Sequence, residues 1–429
     1  MALIIVLTSI ALLTVFLADM QEETSVSYAV STSDRDALQA EYMAKSALNL
    51  TRMLIRQESA IRVIAAPLFQ AMMGRQPAQI PVWRMASEIL APFCDPETAD
   101  GIGGFQLDAV EGLGDTGGRC RIISFAENSK INVNDPLFLD GDRARRSVAM
   151  QLFATLGGYH SPSPYDAIFS RRDADGQFST RLDIVNALID WWDQDTLNTG
   201  FDPGAATVQN SGPEDDLYTR LDDPYRAKNA PFDSLEELRL VRGVGDDFWA
   251  TFIDPEPEDP NARIFTIYGS GAVNPNEAPP EVLLARVCSY IGEQPLCSDP
   301  SQAARFVQLM NTVRSMAPIP FFTTAADFLN FLEGRGSGSR DLYPMLQGFL
   351  GADNPLLFQP VTIPAAQRTE ISGTFVTQAS IFTIVAIGEA GRARVSLDTV
   401  VNFHGRWTPP PPNAGTMPRL GILHYYRME

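Results

Sequence analysis

The chain has 429 residues and a formal net charge of −19, from 33 basic and 52 acidic side chains. This acid excess argues against a nucleic-acid partner, which rewards clustered Lys and Arg, and it permits bound divalent cations. The length allows more than one hydrophobic core, and 31 Gly with 31 Pro indicate a head rich in loops. Solubility is the simplest explanation of the acid excess taken alone.

The first 66 residues contain no Gly and no Pro, and they predict one unusually long helix. Residues 1–18 carry no charge, and as a helix they would span about 27 Å, just enough to cross the hydrocarbon core of a bilayer. Acidic residues begin at Asp19, and from there to Arg56 apolar residues recur at roughly helical spacing. We therefore expect the first part of the helix in lipid and the second part packed on a head in water.

Two other interpretations of this N-terminus stay open. A cleaved signal peptide would need a basic start and a small-residue cleavage site. However, no Lys or Arg precedes Arg35, and nothing like Ala-x-Ala ends the apolar run. A simple single-pass anchor would need no amphipathic continuation. The lack of basic residues just after the span predicts that the chain from Asp19 onward lies on the non-cytoplasmic side.

The chain beyond the long helix changes from a strand pattern to a helix pattern. Residues 67–96 are predicted as short helix and loop. Residues 119–126 and 130–133 then predict a strand hairpin around a turn at 127–129. From residue 135 to about 349 the chain is predicted to be mostly helical with long loops.

Strand patterns return near the C-terminus, at residues 370–377, 381–387 and 392–403. The simplest topology joins them to the early hairpin in one antiparallel sheet packed on the N-terminal helix. The helical region then becomes an insertion. A Pro-rich stretch at 408–413 and residues 421–429 follow as a tail.

The helical region contains a degenerate internal repeat. One unit opens with Asn132-Val133-Asn134 and the other with Asn274-Pro275-Asn276, and each later reaches a capped helix that follows a Phe. An Asn in such a motif can bond its own backbone and fix the turn out of a strand. The predicted capping boxes are Ser234 with Glu237 and, in a weaker version, Thr324 with Asp327. Coincidence between two turn-helix segments is the alternative.

The four cysteines form two pairs that are close in sequence, Cys94 with Cys120 and Cys288 with Cys297. With a head outside the cytoplasm, these pairs predict two disulfides. Neither pair has CxxC spacing and the three His are widely separated, so the sequence disfavours a zinc site and a Cys–His nucleophile. Walker, GxSxG and HExxH motifs are absent from the sequence. The Gly-rich turn at 239–245 is followed by two Asp, which would repel a phosphate, so a structural turn is favoured there.

Two acidic clusters at the ends of one Gly-containing loop are the clearest chemical feature of the sequence. Carboxylates brought together repel one another unless something neutralises them. Ca²⁺ would do so, because it accepts about six to eight oxygen ligands from irregular loops, whereas Mg²⁺ demands tighter octahedral geometry and is the second choice. The predicted ligands of a structural calcium ion are Asp193, Asp195, Glu214, Asp215 and Asp216. A solvated acidic loop and a paired-carboxylate hydrolase are the alternatives.

An apolar N-terminal helix that continues into a head resembles the N-terminus of type IV pilins and type II secretion pseudopilins. In those families a short basic leader is removed and the new N-terminus is methylated, which implies that Met1 is the first mature residue. Most members have Glu at the fifth position, where it neutralises a neighbour's N-terminal amine. The residue here is Ile5, and this departure resembles the K-type minor pseudopilins.

Runs of the head resemble the signature of general secretion pathway protein K. They are residues 131–134, 190–195, 213–218, 224–232, 237–243 and 273–278. The resemblance follows almost the whole chain in one order, and it implies a pilin-like fold with a large helical insertion that binds calcium. This sequence departs from the pattern in its expanded 196–213 loop and in its tail.

These features predict an α+β, pilin-like fold, in which a long N-terminal helix packs on an antiparallel sheet and a large, mostly helical insertion interrupts the chain. The predicted domains are the transmembrane part of the helix (1–18), the first part of the pilin-like core (19–134), the insertion with its two repeats (135–360), the last core strands (361–407) and the Pro-rich tail (408–429).

The resemblance implies a minor pseudopilin of the type II secretion system that is not an enzyme. It would sit at the tip of the periplasmic pseudopilus, and would help to initiate assembly and protein export across the outer membrane. The helix would cross the inner membrane once, with the head in the periplasm. The implied partners are the I- and J-type minor pseudopilins, with the H-type as a further candidate, the inner-membrane assembly platform, and the prepilin peptidase for the precursor. A membrane-anchored metal-dependent hydrolase and a minor pilin of a type IV pilus are the alternatives.

Overall fold

The computed structural model describes residues 2–74, 76–94, 118–134, 141–160, 162–172, 178–219, 223–257, 259–316, 320–336, 341–351, 354–403 and 420–429. Its helices are α1 (Ala2–Met73), α2 (Ala86–Ile89), α3 (Ala91–Cys94), α4 (Gly141–Thr155), α5 (Asp166–Phe169), α6 (Arg181–Trp192), α7 (Asp246–Phe248), α8 (Pro280–Ile291), α9 (Pro295–Ser298), α10 (Pro300–Met316), α11 (Ala325–Leu332), α12 (Leu342–Leu350) and α13 (Ala365–Gly373). Its strands are β1 (Gly118–Ala126), β2 (Ile131–Asn132), β3 (Leu197–Asp202), β4 (Thr207–Pro213), β5 (Phe265–Thr266), β6 (Ile381–Ala390), β7 (Ala393–Asn402) and β8 (Ile422–Met428).

The chain folds into two compact units, each built from segments that are distant in sequence. The first contains Met1–Gln57, Val82–Ser124 and Thr383–Glu429, and the second contains Glu58–Pro81 and Phe125–Phe382. The order of the four-stranded sheet is β1-β6-β7-β8, and β7 and β8 run antiparallel with Thr399 opposite Tyr426. Two small two-stranded sheets, β2-β5 and β3-β4, complete the described strands.

Close packing of helix on sheet defines the first unit. Helix α1 buries a stripe of small and apolar side chains, Ala40, Met43, Ala44, Ala47 and Leu48. A Cβ added at Gly388 of β6 would lie only 2.0 Å from the carbonyl oxygen of Ala40, so glycine and alanine let the strand approach the helix backbone. The predicted α+β, pilin-like class, with a long N-terminal helix and an antiparallel sheet, is confirmed.

The N-terminal part of α1 is exposed and strongly apolar. Within the described residues it is the one helix long and apolar enough to cross a membrane, with a mean hydropathy of 2.4 over the best window. The helix also runs further than predicted, because it continues through Pro67 to Met73. Proline removes one backbone hydrogen bond, but Pro67 and Val63 are both exposed, so water can bond the carbonyl that is left free.

The predicted early hairpin is wrong in its pairing. Strand β1 lies in the four-stranded sheet, whereas β2 pairs in parallel with β5, Ile131 opposite Phe265. Residues Glu127–Ser129 form a buried 3-10 turn rather than a hairpin loop, and this turn sends the chain to a different partner. Local pattern finds strands, but pairing depends on contacts that are distant in sequence.

Three other predictions differ from the structure. The first half of the predicted strand at 370–377 is the end of helix α13, which starts in the helix formers after Pro364; in the second half, Phe375 makes an isolated bridge to Val273. The predicted 196–213 loop is the β3–β4 hairpin. The end of the predicted tail forms β8 at the sheet edge, while the Pro-rich stretch 408–413 lies outside the described residues.

The second unit is mostly helical, and it has one apolar core that includes aromatic clusters around Trp191 and Phe328. Both cysteine pairs form disulfides, Cys94–Cys120 in the first unit and Cys288–Cys297 in the second, as predicted. The Thr324–Asp327 capping box is confirmed. The Ser234–Glu237 box is wrong, because the Glu237 carboxylate binds Lys228 instead, at 2.9 Å.

The two N-x-N motifs make equivalent hydrogen bonds in the second unit. Asn132 Oδ1 accepts from the backbone N–H of Asn134 at 2.9 Å, and Asn274 Oδ1 accepts from that of Asn276 at 3.0 Å. The second Asn of each motif then clasps the backbone of a distant Phe. Asn134 accepts from the N–H of Phe232 and donates to its carbonyl, and Asn276 does the same with Phe322. The predicted local role of these Asn is therefore confirmed.

Candidate metal centre

The acidic centre is assembled at the C-terminal end of α6. A capping box of Thr180 and Asp183 starts this helix, although the sequence analysis did not predict it. Most of its later side chains are buried, and Trp191 near its end stacks on Phe232 and meets the edge of Tyr218. This packing fixes the last turn of α6, and so it also fixes where Asp193 and Asp195, which follow the helix, are placed.

The β3–β4 hairpin brings the second acidic cluster back to the first. The strands pair antiparallel, with Gly200 opposite Gln209, and the N–H of Glu214 reaches the carbonyl of Thr196 at 3.4 Å. One carboxylate oxygen each from Asp193, Asp195 and Glu214 then lies within 4.8 Å of the other two. The structure therefore gathers three of the five predicted ligands in one place.

Of the other two predicted residues, Asp215 does not extend this group. The Asp215 carboxylate accepts a hydrogen bond from the N–H of Ala227 at 3.2 Å, and it lies 3.8 Å from Arg226. Asp215 is therefore engaged elsewhere, although its charge still raises the pKa of Glu214. The side chain of Asp216 lies outside the described part of the chain.

Burial sets the electrostatics of the centre. Asp193 is 6% exposed and Glu214 is 1% exposed. Burial raises the pKa of Asp193 to about 6 and the pKa of Glu214 to about 7, and neighbouring carboxylates act in the same direction. Burial also raises the pKa of Asp190 to about 7, although Asp190 accepts a hydrogen bond from the N–H of Thr199 at 2.7 Å. A bound cation would favour the charged form of each group.

Several oxygen atoms in the centre are buried without a hydrogen bond. Among the described residues they include Asp193 Oδ1, both carboxylate oxygens of Glu214, Thr199 Oγ1 and Asn229 Oδ1. A buried acceptor that makes no bond is costly. Asn229 adopts a left-handed backbone with φ of 51°, and its side-chain amide donates to the carbonyl of Asp195 at 2.9 Å. The amide oxygen is thus held beside the carboxylates.

Only one cation among the described residues reaches this group. Arg145 of α4 is 8% exposed, and its Nη1 lies 2.9 Å from Asp195 Oδ2 and 3.3 Å from Asp193 Oδ2. The same nitrogen donates to Asn210 Oδ1 at 2.9 Å. Sequence reasoning gave no role to Arg145, Thr199 or Asn210, and it placed Asn229 only within a family signature.

The donor set fits a hard cation. It consists of carboxylate, amide and hydroxyl oxygens, with no nitrogen or sulfur among the grouped ligands. Oxygen-only sites built from loops of this kind suit Ca²⁺, while Zn²⁺ is usually held by Cys or His. The residues present therefore fit the predicted metal.

The sequence of this region also carries the family relationship. Residues 129–252 match the family model of type II secretion system (T2SS) protein K. This segment is therefore similar to the K proteins of the type II secretion system. The resemblance drawn from the signature runs is thereby confirmed, and so is the predicted function of a minor pseudopilin of this system. The matched segment contains Arg145 and the three clustered acids.

A solved structure also matches this chain. It is a chain of the GspK-GspI-GspJ complex of the type 2 secretion system from enterotoxigenic Escherichia coli. The two chains are 12% identical with a TM-score of 0.43, and the match covers 94% of this chain and 99% of that chain. The curated protein sequences contain no match.

Proposed function

We propose that this K protein occupies the tip of the periplasmic pseudopilus, where it helps to initiate assembly and protein export across the outer membrane. The family match of residues 129–252 is the observation that carries the proposal. The second compact unit supports it, because residues 125–382 add a whole folded body between β1 and the last strands. A subunit repeated along a shaft would have to accommodate that body at every step.

The proposed location is the inner membrane, crossed once by α1, with the head in the periplasm. The exposed apolar part of α1 supports a membrane anchor. The disulfides Cys94–Cys120 and Cys288–Cys297 support an oxidising compartment for the head, because such bonds are rare in the cytosol.

The proposed partners are the I- and J-type minor pseudopilins, with the H-type as a further candidate. The assembly platform of the inner membrane and the prepilin peptidase would act on the same chain earlier. The full-length chain, purified in detergent with an affinity tag, should retain the I- and J-type proteins of its own system in stable stoichiometry. The major pseudopilin, expressed at the same level, is the matched control. Retention of the major pseudopilin alone would contradict the proposed tip complex.

We also propose that the centre formed by Asp193, Asp195 and Glu214 binds a structural Ca²⁺ ion, with Asn229 and Thr199 as further oxygen donors. The buried, unbonded oxygens of Asp193 and Glu214 carry this proposal. The deep burial of Glu214 supports a structural role over catalysis, since a substrate would have little access to it. We therefore propose that the protein is not an enzyme.

Metal removal provides the test. In full-length protein in detergent, EGTA should lower the Tm of the head and excess Ca²⁺ should restore it, because a ligand of the native state stabilises by mass action. At about 100 times its Kd, Ca²⁺ would add roughly 2.7 kcal/mol. The double variant Asp193→Asn and Asp195→Asn should lose the response.

The control for this test neutralises two exposed carboxylates instead. Asp246 and Asp247 have side chains that are 96% and 65% exposed, and each pairs with a single Arg. Asp246→Asn with Asp247→Asn changes the net charge by the same amount and should keep the full response to Ca²⁺. A wild-type Tm that stays constant between EGTA and millimolar Ca²⁺ would rule out the site.

A further inference from the structure

Arg145 occupies one side of the acidic centre. It lies in the second turn of α4, and its side chain is 10% exposed. Its Nη1 contacts Asp193 Oδ2, Asp195 Oδ2 and Asn210 Oδ1, and its Nη2 donates to Asp142. Oxygen atoms of four side chains therefore already contact a cation of the protein itself, the Arg145 guanidinium.

The oxygens of the centre fall into two groups. Asp195 has both carboxylate oxygens engaged, since Oδ1 accepts from the N–H of Leu197 at 2.8 Å and Oδ2 accepts from Arg145 and from Asn210. In contrast, Asp193 Oδ1 and both oxygens of Glu214 have no bond among the described residues. A metal ion can use the second group directly, but it must compete with Arg145 for Asp195.

We propose that Arg145 is an internal counter-cation that holds the ligands in place before calcium arrives and weakens calcium binding by competing for them. This inference rests on the proposed calcium site. Without the metal, the guanidinium offsets the repulsion between Asp193 and Asp195. With the metal bound, the guanidinium and the metal ion would contact the same carboxylates, and their positive charges would repel each other. Arg145 thus sets the affinity of the centre without being one of its ligands.

The planar guanidinium suits this role better than an ammonium would. It presents several donors in a fixed fork, and here it spans Asp142 on one side and the two clustered Asp on the other. Lysine would keep the charge but not the fork. The effects of charge and of geometry can therefore be separated by substitution.

The test compares Arg145→Met with Arg146→Met in the full-length chain in detergent. Arg146 is the next residue on α4, its side chain is 42% exposed, and its nearest carboxylate, on Glu370, is 3.9 Å away. After treatment with EGTA and its removal, calcium binding is measured by titration calorimetry with CaCl₂, and the metal-free Tm is measured in parallel. Arg145→Met should bind Ca²⁺ at least about fivefold more tightly than wild type and should melt at a lower temperature without metal. Arg146→Met should change neither value.

Arg145→Lys keeps the test informative where Arg145→Met does not fold without metal. The lysine variant should fold. Its affinity for Ca²⁺ should be higher than that of wild type and of Arg146→Met, and lower than that of Arg145→Met. If wild type binds Ca²⁺ and both Arg145 variants bind it equally well or more weakly, Arg145 does not compete with the metal. That result would overturn this inference but not the calcium site. Failure of wild type and Arg146→Met to bind Ca²⁺ would overturn the calcium site itself.

Discussion

Lys130 is a buried charge in the second unit, and it is not part of the acidic centre. It is 4% exposed, its Nζ donates to the carbonyl of Pro260 at 2.7 Å, and it lies 4.0 Å over the ring of Phe125. Burial lowers its pKa to about 8, against the opposing pull of Glu127. The nearby charges that also act on it are Arg263, Asp259 and Asp254.

This lysine predicts a rise in stability with pH. Its pKa is near 8 when folded and about 10.4 when unfolded, so between these values the unfolded state binds more protons and the free energy of unfolding increases as pH rises. From pH 7.5 to 9.5 the gain should be about 1–2 kcal/mol. Urea unfolding followed by tryptophan fluorescence will measure it. Lys130→Met should flatten the rise, whereas Lys45→Met, at a half-buried position of α1 in the first unit, should leave it unchanged. An equal rise in both variants would contradict the assignment.

Single residues were predictable where their partner lies close in sequence. The first Asn of each N-x-N motif bonds the backbone two residues later, and Asp193 and Asp195 are also only two residues apart. Arg145 and Asn229 were not predictable as parts of the centre, because they approach it from positions 48 and 34 residues away from their partners. Only the packing of α4 and the loop before Phe232 brings them there.

At the scale of elements, helices were predicted better than strands. The period of an amphipathic helix is contained in its own sequence, so α1 and most of the helical region follow from local pattern. Strand pairing is not local, which is why the partners of β1 and β2 were wrong. The β3–β4 hairpin was missed for another reason: its strands are polar and contain Gly200, so they lack the apolar alternation that predicts a strand.

The contact of α1 with β6 gives a second prediction. Gly388→Ala would place a methyl group 2.0 Å from the carbonyl oxygen of Ala40 and 2.6 Å from the N of Ala44, and neither backbone atom can move alone. Separating the helix from the strand should cost about 1–3 kcal/mol or more, by analogy with overpacked cores. The Tm of the full-length chain should fall.

The matched control for Gly388 is Gly348, which lies in α12. A Cβ at that position would meet nothing within 4 Å. Gly348→Ala should therefore raise the Tm slightly, because alanine favours a helix by roughly 1 kcal/mol over glycine. A Gly388→Ala protein as stable as wild type would mean that the helix does not pack this closely on the strand.

At the scale of the whole molecule, family and class were accessible from the sequence, but the division of the chain was not. The signature runs resembled the K proteins, and the family model matches the part of the chain, residues 129–252, in which most of these runs lie. The boundaries of the two units depend on which distant segments pack together, and residues 58–81 of α1 and the loop after it join the second unit rather than the first. Local pattern carries no information about that choice.

The two-unit architecture leads to a prediction about polymerisation. A shaft of identical subunits would repeat the second unit at every step, so addition of a further copy of this chain should be disfavoured. Overproduction of the full-length protein together with the I- and J-type minor pseudopilins and the major pseudopilin should yield filaments that carry this chain at one end only. Gold-labelled antibody against the second unit, viewed by electron microscopy on sheared filaments, measures the position of this chain in the filament.

Overproduction of this chain alone should give no homopolymer by sedimentation, whereas the major pseudopilin under the same conditions should polymerise. Label distributed along the shaft would defeat the tip assignment, because it would mean that the second unit can be accommodated at each step.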